Sequence, residues 1–219
     1  EEYGGKDAFI TRHLLRFPQA MDESAVHGSA IHKSLEKAHL AFNQAKPSSA
    51  ADLLATYLKE IEKCSLDELT KERILQKAEY TLNKLWPDIK ALIEVRAIPE
   101  ADIKVNFNEL RLSGKLDAIV IDKERGTAII RDYKTGRPSK YIDKKYENQL
   151  FFYRLLIEQS PERLPKNVKL TGAELVYING GEDKVATLSL DYAKKESEYL
   201  AFKELVQKVW SEIMTLAKF

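Results

Sequence analysis

The chain has 219 residues, 44% hydrophobic and 32% charged, which supplies enough apolar material for a sizeable core and excludes a disordered or fibrous protein. Thirty-five Lys and Arg against 34 Asp and Glu leave a net charge of +1, so any electrostatic footprint for a nucleic acid or a membrane has to be local. A single cysteine, Cys64, cannot close an intrachain disulfide or hold an iron–sulfur cluster, and such thiol poverty fits a reducing compartment, with the cytoplasm as the expected location. No apolar run approaches the ~20 residues that span a bilayer, and the N-terminus lacks the regions of a signal peptide, so no membrane partner is expected. A start at Glu1 without methionine suggests a piece excised from a longer polypeptide.

Apolar residues at three- and four-residue spacing predict a helix over 25–45, carrying Ile31, Leu35, Ala38 and Phe42, with Ser24 as its N-cap. Lys46-Pro47-Ser48-Ser49 reads as a stop followed by a cap for a second helix over 51–61. A third pattern over 66–93 is kinked or ended at Trp86-Pro87. From Val95 the period changes to two. Ile103, Val105 and Phe107, then Leu110, Leu112, Gly114, Leu116, Ala118 and Val120, then 127–133 predict an antiparallel meander turning at 106–109 and 123–126. A polar segment, 135–143, leads into a helix over 144–159 stopped by Ser160-Pro161. Two more strands, 169–178 and 184–190, flank Gly180-Gly181, and 192–218 reads as a closing amphipathic helix. The expected organisation is one α/β domain over 1–219, with a helical portion over about 1–94 and a sheet core over about 95–219.

The chemistry concentrates where acids interrupt apolar strands. Gly114-Lys115-Leu116-Asp117 is followed fifteen residues later by Arg131-Asp132-Tyr133-Lys134-Thr135-Gly136. A turn about Glu124-Arg125 makes paired residue numbers sum to 249, which sets Asp117 opposite Asp132, their Cβ atoms ~4.5–5.5 Å apart on one face, with Lys134 on the same face. A bulge at Gly126 would alter this register. Two carboxylates at ~4 Å repel by about 4 kcal/mol at an effective dielectric of ~20, and a hard divalent cation relieves them. Asp-x-Lys then reads as metal plus lysine, a pair suited to delivering water to a phosphate and neutralising the charge that develops there. A second histidine pattern, His32 with Glu36 and His39, has helical spacing for zinc but lacks the His-Glu-x-x-His order of metalloproteases.

Four blocks together resemble the RecB-type branch of the PD-(D/E)xK nuclease superfamily, which also occurs fused to UvrD-type helicases. They are Gly28-Ser29-Ala30-Ile31-His32 with Leu35-Glu36, Ser113-Gly114-Lys115-Leu116-Asp117, Ile130-Arg131-Asp132-Tyr133-Lys134-Thr135-Gly136, and Gln149-Leu150-Phe151-Phe152-Tyr153. The resemblance implies a restriction-endonuclease-like fold, a mixed central sheet flanked by helices with a helical N-terminal portion. It implies Mg2+ or Mn2+ bound by His32, Asp117, Asp132 and the Tyr133 carbonyl, Lys134 and the two acids as catalytic residues, and Gln149 and Tyr153 as supports that contact DNA. Family members with an iron–sulfur cluster use four cysteines, which this chain lacks. The implied activity is metal-dependent DNA phosphodiester hydrolysis, as an exonuclease domain of a repair or recombination helicase-nuclease. A DNA-binding or assembly module that keeps the fold without turnover is the alternative. No phosphate loop of the Gly-x-x-x-x-Gly-Lys-Ser/Thr type is present, so a helicase motor would lie elsewhere in the polypeptide or complex. Between Arg131 and Lys145 six basic residues, among them Arg137, Lys140 and Lys144, stand against two acids, a local charge suited to a nucleic-acid backbone.

Overall fold

The computed structural model describes residues 22–178 and 184–216. Gly180-Gly181 and both chain ends lie outside the described residues. Helix α1, Glu23–Asn43, starts two residues earlier than the expected cap implies: Asp22 in extended backbone is the N-cap and its Oδ1 accepts from Ala25 N at 2.7 Å, leaving Ser24 inside the helix. Helix α2, Ala50–Ile61, begins on a reciprocal capping box between Ser49 and Asp52. The third pattern divides into α3, Glu68–Lys84, and α4, Trp86–Ile93, because Pro87 in the first turn of α4 has no N–H to continue the preceding ladder.

Five strands follow in spatial order β1-β2-β3-β4-β5. β1, Ala97–Phe107, β2, Leu110–Asp122, and β3, Thr127–Lys134, form the expected antiparallel meander. Helix α5, Lys144–Glu158, carries the chain over to β4, Lys169–Tyr177, which runs parallel to β3. β5, Ala186–Asp191, closes the edge antiparallel to β4, and a 3-10 turn, Tyr192–Lys195, leads into α6, Glu196–Leu216. The sheet is therefore mixed, with a core on each face. Ile103, Leu116, Ile130 and Leu175 pack beneath Phe151, Leu155 and Leu156 of α5 and Tyr199 and Phe202 of α6. Tyr133, Val176 and Ile178 pack against Ile31, Leu35, Leu53, Ile74 and Ile89 of α1–α4. A Cβ on Gly114 would stand 2.6 Å from Leu156 Cδ1, so the missing side chain is what lets α5 lie close on β2. Among the described residues no helix is long and apolar enough to cross a membrane.

One helical contact couples this packing to pH. His27 is 3% exposed and its Nδ1 lies 2.8 Å from the Tyr57 hydroxyl. That hydroxyl donates its proton to the Ile74 carbonyl at 3.1 Å, so the imidazole Nδ1–H is the donor in the first bond. Burial, with Lys77 adding repulsion, lowers the His27 pKa to about 4. Between the unfolded value near 6.5 and 4 only the unfolded chain binds this proton, so stability is full above that window and falls as pH falls through it. His27→Leu should therefore soften acid destabilisation: between pH 7 and pH 5 the wild type should lose about 2 kcal/mol more than the variant, a difference of several degrees in melting temperature. Equal losses in the two melting curves would show that His27 does not titrate in this window.

Candidate active site

The β2–β3 ladder pairs Ala118 with Arg131, Ile119 with Ile130 and Asp122 with Thr127, the register that the four-residue turn predicts. Gly126 does adopt a left-handed φ of 63°, but the register keeps its sum across the ladder. Asp117 and Asp132 follow directly on the last pair. Alternation along β3 sends Ile130, Asp132 and Lys134 towards α5, and Arg131 and Tyr133 towards the helical layer.

The face alternation of β2 departs from expectation at Asp117. Leu116 and Ile119, three residues apart, both enter the core under α5. Ala118 therefore does not continue the stripe of Leu112, Gly114 and Leu116. The cause lies in β1, where Pro99 pairs with Ala118 and Ala101 with Leu116, but the Glu100–Asp117 step is missing and Glu100 has φ 47°. A non-glycine residue in that region is uncommon. Glu100 turns its carboxylate onto Lys115, and Asp117, released from the β1 ladder, turns towards α1 and β3.

Each functional side chain then has defined partners. Asp117 Oδ2 accepts the Tyr133 backbone N–H at 2.8 Å, and its Oδ1 lies 2.8 Å from His32 Nδ1. Gly28, one turn before His32, faces the Thr135 hydroxyl, so α1 and the end of β3 meet where the first and third sequence blocks come together. Asp132 is 2% exposed. Its Oδ1 accepts the Tyr153 hydroxyl at 3.3 Å, Tyr153 accepts from Gln149 Nε2 at 2.8 Å, and Gln149 Oε1 accepts from Lys134 Nζ at 2.9 Å. Lys134 Nζ closes this ring at 2.6 Å from Asp132 Oδ2. That last contact is a buried ion pair in which the Lys134 ammonium stands directly at Asp132 Oδ2. Gln149 and Tyr153 share a face of α5, one turn apart, as their spacing requires.

The electrostatics differ from a bare pair of facing acids. Each carboxylate has a basic neighbour, His32 for Asp117 and Lys134 for Asp132. Burial still raises the Asp132 pKa, and the charge of Asp117 adds to it, against the pull of Lys134. Burial resists charging His32, yet the hydrogen bond and charge of Asp117 outweigh it and raise the imidazole's pKa. Carboxylate oxygens and an imidazole are ligands a divalent cation accepts, so the chemistry of this donor set fits one. Among the described residues, however, no three His, Cys, Asp or Glu side chains are gathered as a metal-binding group; His32 Nδ1 and Asp117 Oδ1 are spent on each other.

Other expected residues fall elsewhere. Arg137, Lys140 and Lys144 are exposed on 135–143 and the first turn of α5, with Lys144 paired to Glu147 at 2.8 Å. Arg131 does not join them. It points to the opposite face, is 7% exposed, and is held by Glu174 and by the Leu92 carbonyl at 2.7 Å. Its odd position relative to Asp132 was the available signal, since neighbours along a strand face opposite ways. The His32, Glu36 and His39 pattern does not assemble: Glu36 pairs with Lys33, and His39 is buried with its Nε2 at 2.8 Å from the Tyr133 hydroxyl. Burial and the nearby Arg131 lower the His39 pKa to about 4.

A search of curated proteins finds no match. A solved structure titled "Crystal structure of SSO0001" aligns with 90% of this chain and 81% of its own at 15% identity, with a TM-score of 0.33. The model of one family, described as the PD-(D/E)XK nuclease superfamily, matches residues 7–217. With nearly the whole chain matched, and a five-stranded mixed sheet flanked by helices of the restriction-endonuclease-like kind, this protein belongs to the PD-(D/E)XK nuclease superfamily.

Proposed function

We propose that this nuclease is a single-domain, metal-dependent deoxyribonuclease of the RecB type, acting as the exonuclease domain of a repair or recombination helicase-nuclease. The observation that carries the reading is that two groups meet along one stretch of β3: His32 with Asp117, which accepts the Tyr133 N–H, and the ring of Asp132, Lys134, Gln149 and Tyr153, each held by contacts of 3.3 Å or less. These are the motif residues of a phosphodiester hydrolase, brought from four separate elements.

His32, Asp117, Asp132 and the Tyr133 carbonyl would hold Mg2+ or Mn2+, the ions that superfamily members generally use. Such an ion, when bound, polarises the scissile phosphate and lowers the pKa of water. The protein's own groups supply the rest. Lys134 Nζ, fixed by Gln149, directs an ammonium at the phosphate and stabilises charge as the attacking water adds. Tyr153 orients Asp132 through Oδ1, while the Lys134 ammonium stands at Oδ2. The Tyr133 N–H holds Asp117, and His39 holds the Tyr133 ring from the far side of the sheet. Arg137, Lys140 and Lys144, exposed on the segment that follows Lys134, would serve as phosphate contacts for the DNA backbone.

Lys134→Ala, Asp117→Asn and Asp132→Asn should each lower DNA cleavage by orders of magnitude while binding of a short DNA in EDTA stays close to wild type. Titration calorimetry with Mn2+ alone should show binding to wild type and its loss in both Asp variants. His32→Ala should be milder and partly restored by more Mn2+. A Lys134→Ala enzyme as fast as wild type would remove the lysine from the reaction, and wild-type DNA binding with no cleavage in Mg2+ or Mn2+ would assign the chain to a non-catalytic module.

Neutralising Arg137, Lys140 and Lys144 together should weaken DNA binding irrespective of sequence. The slope of log K against log salt should flatten by up to ~0.9 per lost phosphate contact with duplex and ~0.7 with single strands. An unchanged slope places the DNA path on another surface.

A further inference from the structure

The Lys134 ammonium has three N–H bonds on a flexible four-carbon stem. Gln149 Oε1 at 2.9 Å and the Asp132 carboxylate at 2.6 Å account for two neighbours. The third is the ring of Tyr146, whose centroid lies 4.5 Å from Lys134 Nζ, within the range of a cation–π contact. Tyr146 stands three residues before Gln149 and seven before Tyr153, on the same stripe of α5. Its placement is fixed at the start of the helix, where Asp143, the N-cap, accepts the Tyr146 N–H at 2.9 Å. The ring is partly buried against the sheet core, so its face cannot turn freely away from the ammonium. Lys145 Nζ lies 5.7 Å from the same centroid, a second cation drawn to it.

We propose that Tyr146 is a positioning residue for Lys134: its ring face closes the remaining side of the ammonium and holds it over the Asp132 carboxylate, in line with Gln149. This rests on the reading of Lys134 as a catalytic residue. Side-chain conformations of Lys134 that swing out to solvent, where it is already 17% exposed, are disfavoured by loss of the ring contact. The stripe Tyr146, Gln149 and Tyr153 is then one device, with the first two fixing the lysine and the third fixing the acid. The aromatic face carries the effect, and the hydroxyl is dispensable.

Two variants and two readouts test this. In steady-state cleavage of a labelled oligonucleotide with Mg2+, Tyr146→Leu should lower kcat about tenfold with KM changed by less than about twofold, and Tyr146→Phe should stay within about threefold of wild type in both. Added to Lys134→Ala, Tyr146→Leu should change residual activity little, because the two act as a unit. In metal-free protein, the Lys134 ε-methylene protons should resonate upfield through the ring current in wild type and Tyr146→Phe, and return to ordinary shifts in Tyr146→Leu. If Tyr146→Leu melts early, Tyr146→Met takes its place. A Phe variant as slow as the Leu variant, a rise in KM in place of a fall in kcat, or unshifted ε-methylene protons in wild type would overturn the proposal. If Lys134→Ala cleaves at the wild-type rate, the catalytic reading of the lysine fails, and the proton spectrum alone decides whether the ring holds the ammonium.

Discussion

The antiparallel register between β2 and β3 governs everything that follows at the site. Ala118 opposite Arg131 sets Asp117 beside the start of Asp132-Tyr133-Lys134, and a slip of one residue would send Asp132 and Lys134 to the layer of α1–α4. The ladder alone leaves Asp117 bound to a pleat that would face it one way only. The left-handed Glu100 in β1 breaks that pleat at the step opposite Asp117, so the acid can reach the Tyr133 N–H and His32 together. Strain of this kind persists where the surrounding structure over-determines it. Here the surroundings are the flanking ladder pairs and the Lys115 partner of Glu100.

Charge is then distributed across the two faces of β3. Towards α5, Asp132 and Lys134 face one another and are tied through Gln149 and Tyr153. Towards the helical layer, Arg131 is buried with Glu174, and Tyr133 meets His39. A buried ion pair contributes little net stability, but removing one partner leaves an uncompensated charge at a cost of about 3–5 kcal/mol. The Arg131–Glu174 pair, spanning β3 and β4, therefore ties the two strands together without adding positive charge to the face that carries Asp132 and Lys134. The exposed basic residues of 131–145, Arg137, Lys140, Lys144 and Lys145, lie in the segment that follows β3 and in the first turn of α5.

Much of this was legible in the sequence because it follows from local rules. The four-residue turn at 123–126 predicts the register, helical spacing predicts that Gln149 and Tyr153 share a face, and the meander with its following helix predicts most of the sheet. The N-cap at Asp22 was missed because Ser24 is an equally good cap by type, and only the backbone conformation chooses between them. The face shift at Asp117 depends on the φ of Glu100, seventeen residues away, which no periodicity in β2 encodes. Composition alone groups Arg131 with the basic residues that follow it, whereas strand alternation opposes it to Asp132. Tyr146 carried a signal in its spacing to Gln149, but its meaning required the position of the Lys134 ammonium.

Whether Asp117 and Asp132 share a divalent cation decides how this site works. A crystal soaked in Mn2+ and measured near the manganese edge tests this most directly. The expected result is an anomalous peak bounded by the carboxylates of Asp117 and Asp132 and the Tyr133 carbonyl, with His32 turned to it and its bond to Asp117 given up. A soaked crystal in which that space holds no peak and the His32–Asp117 bond persists, while manganese sits only on surface carboxylates, would contradict it.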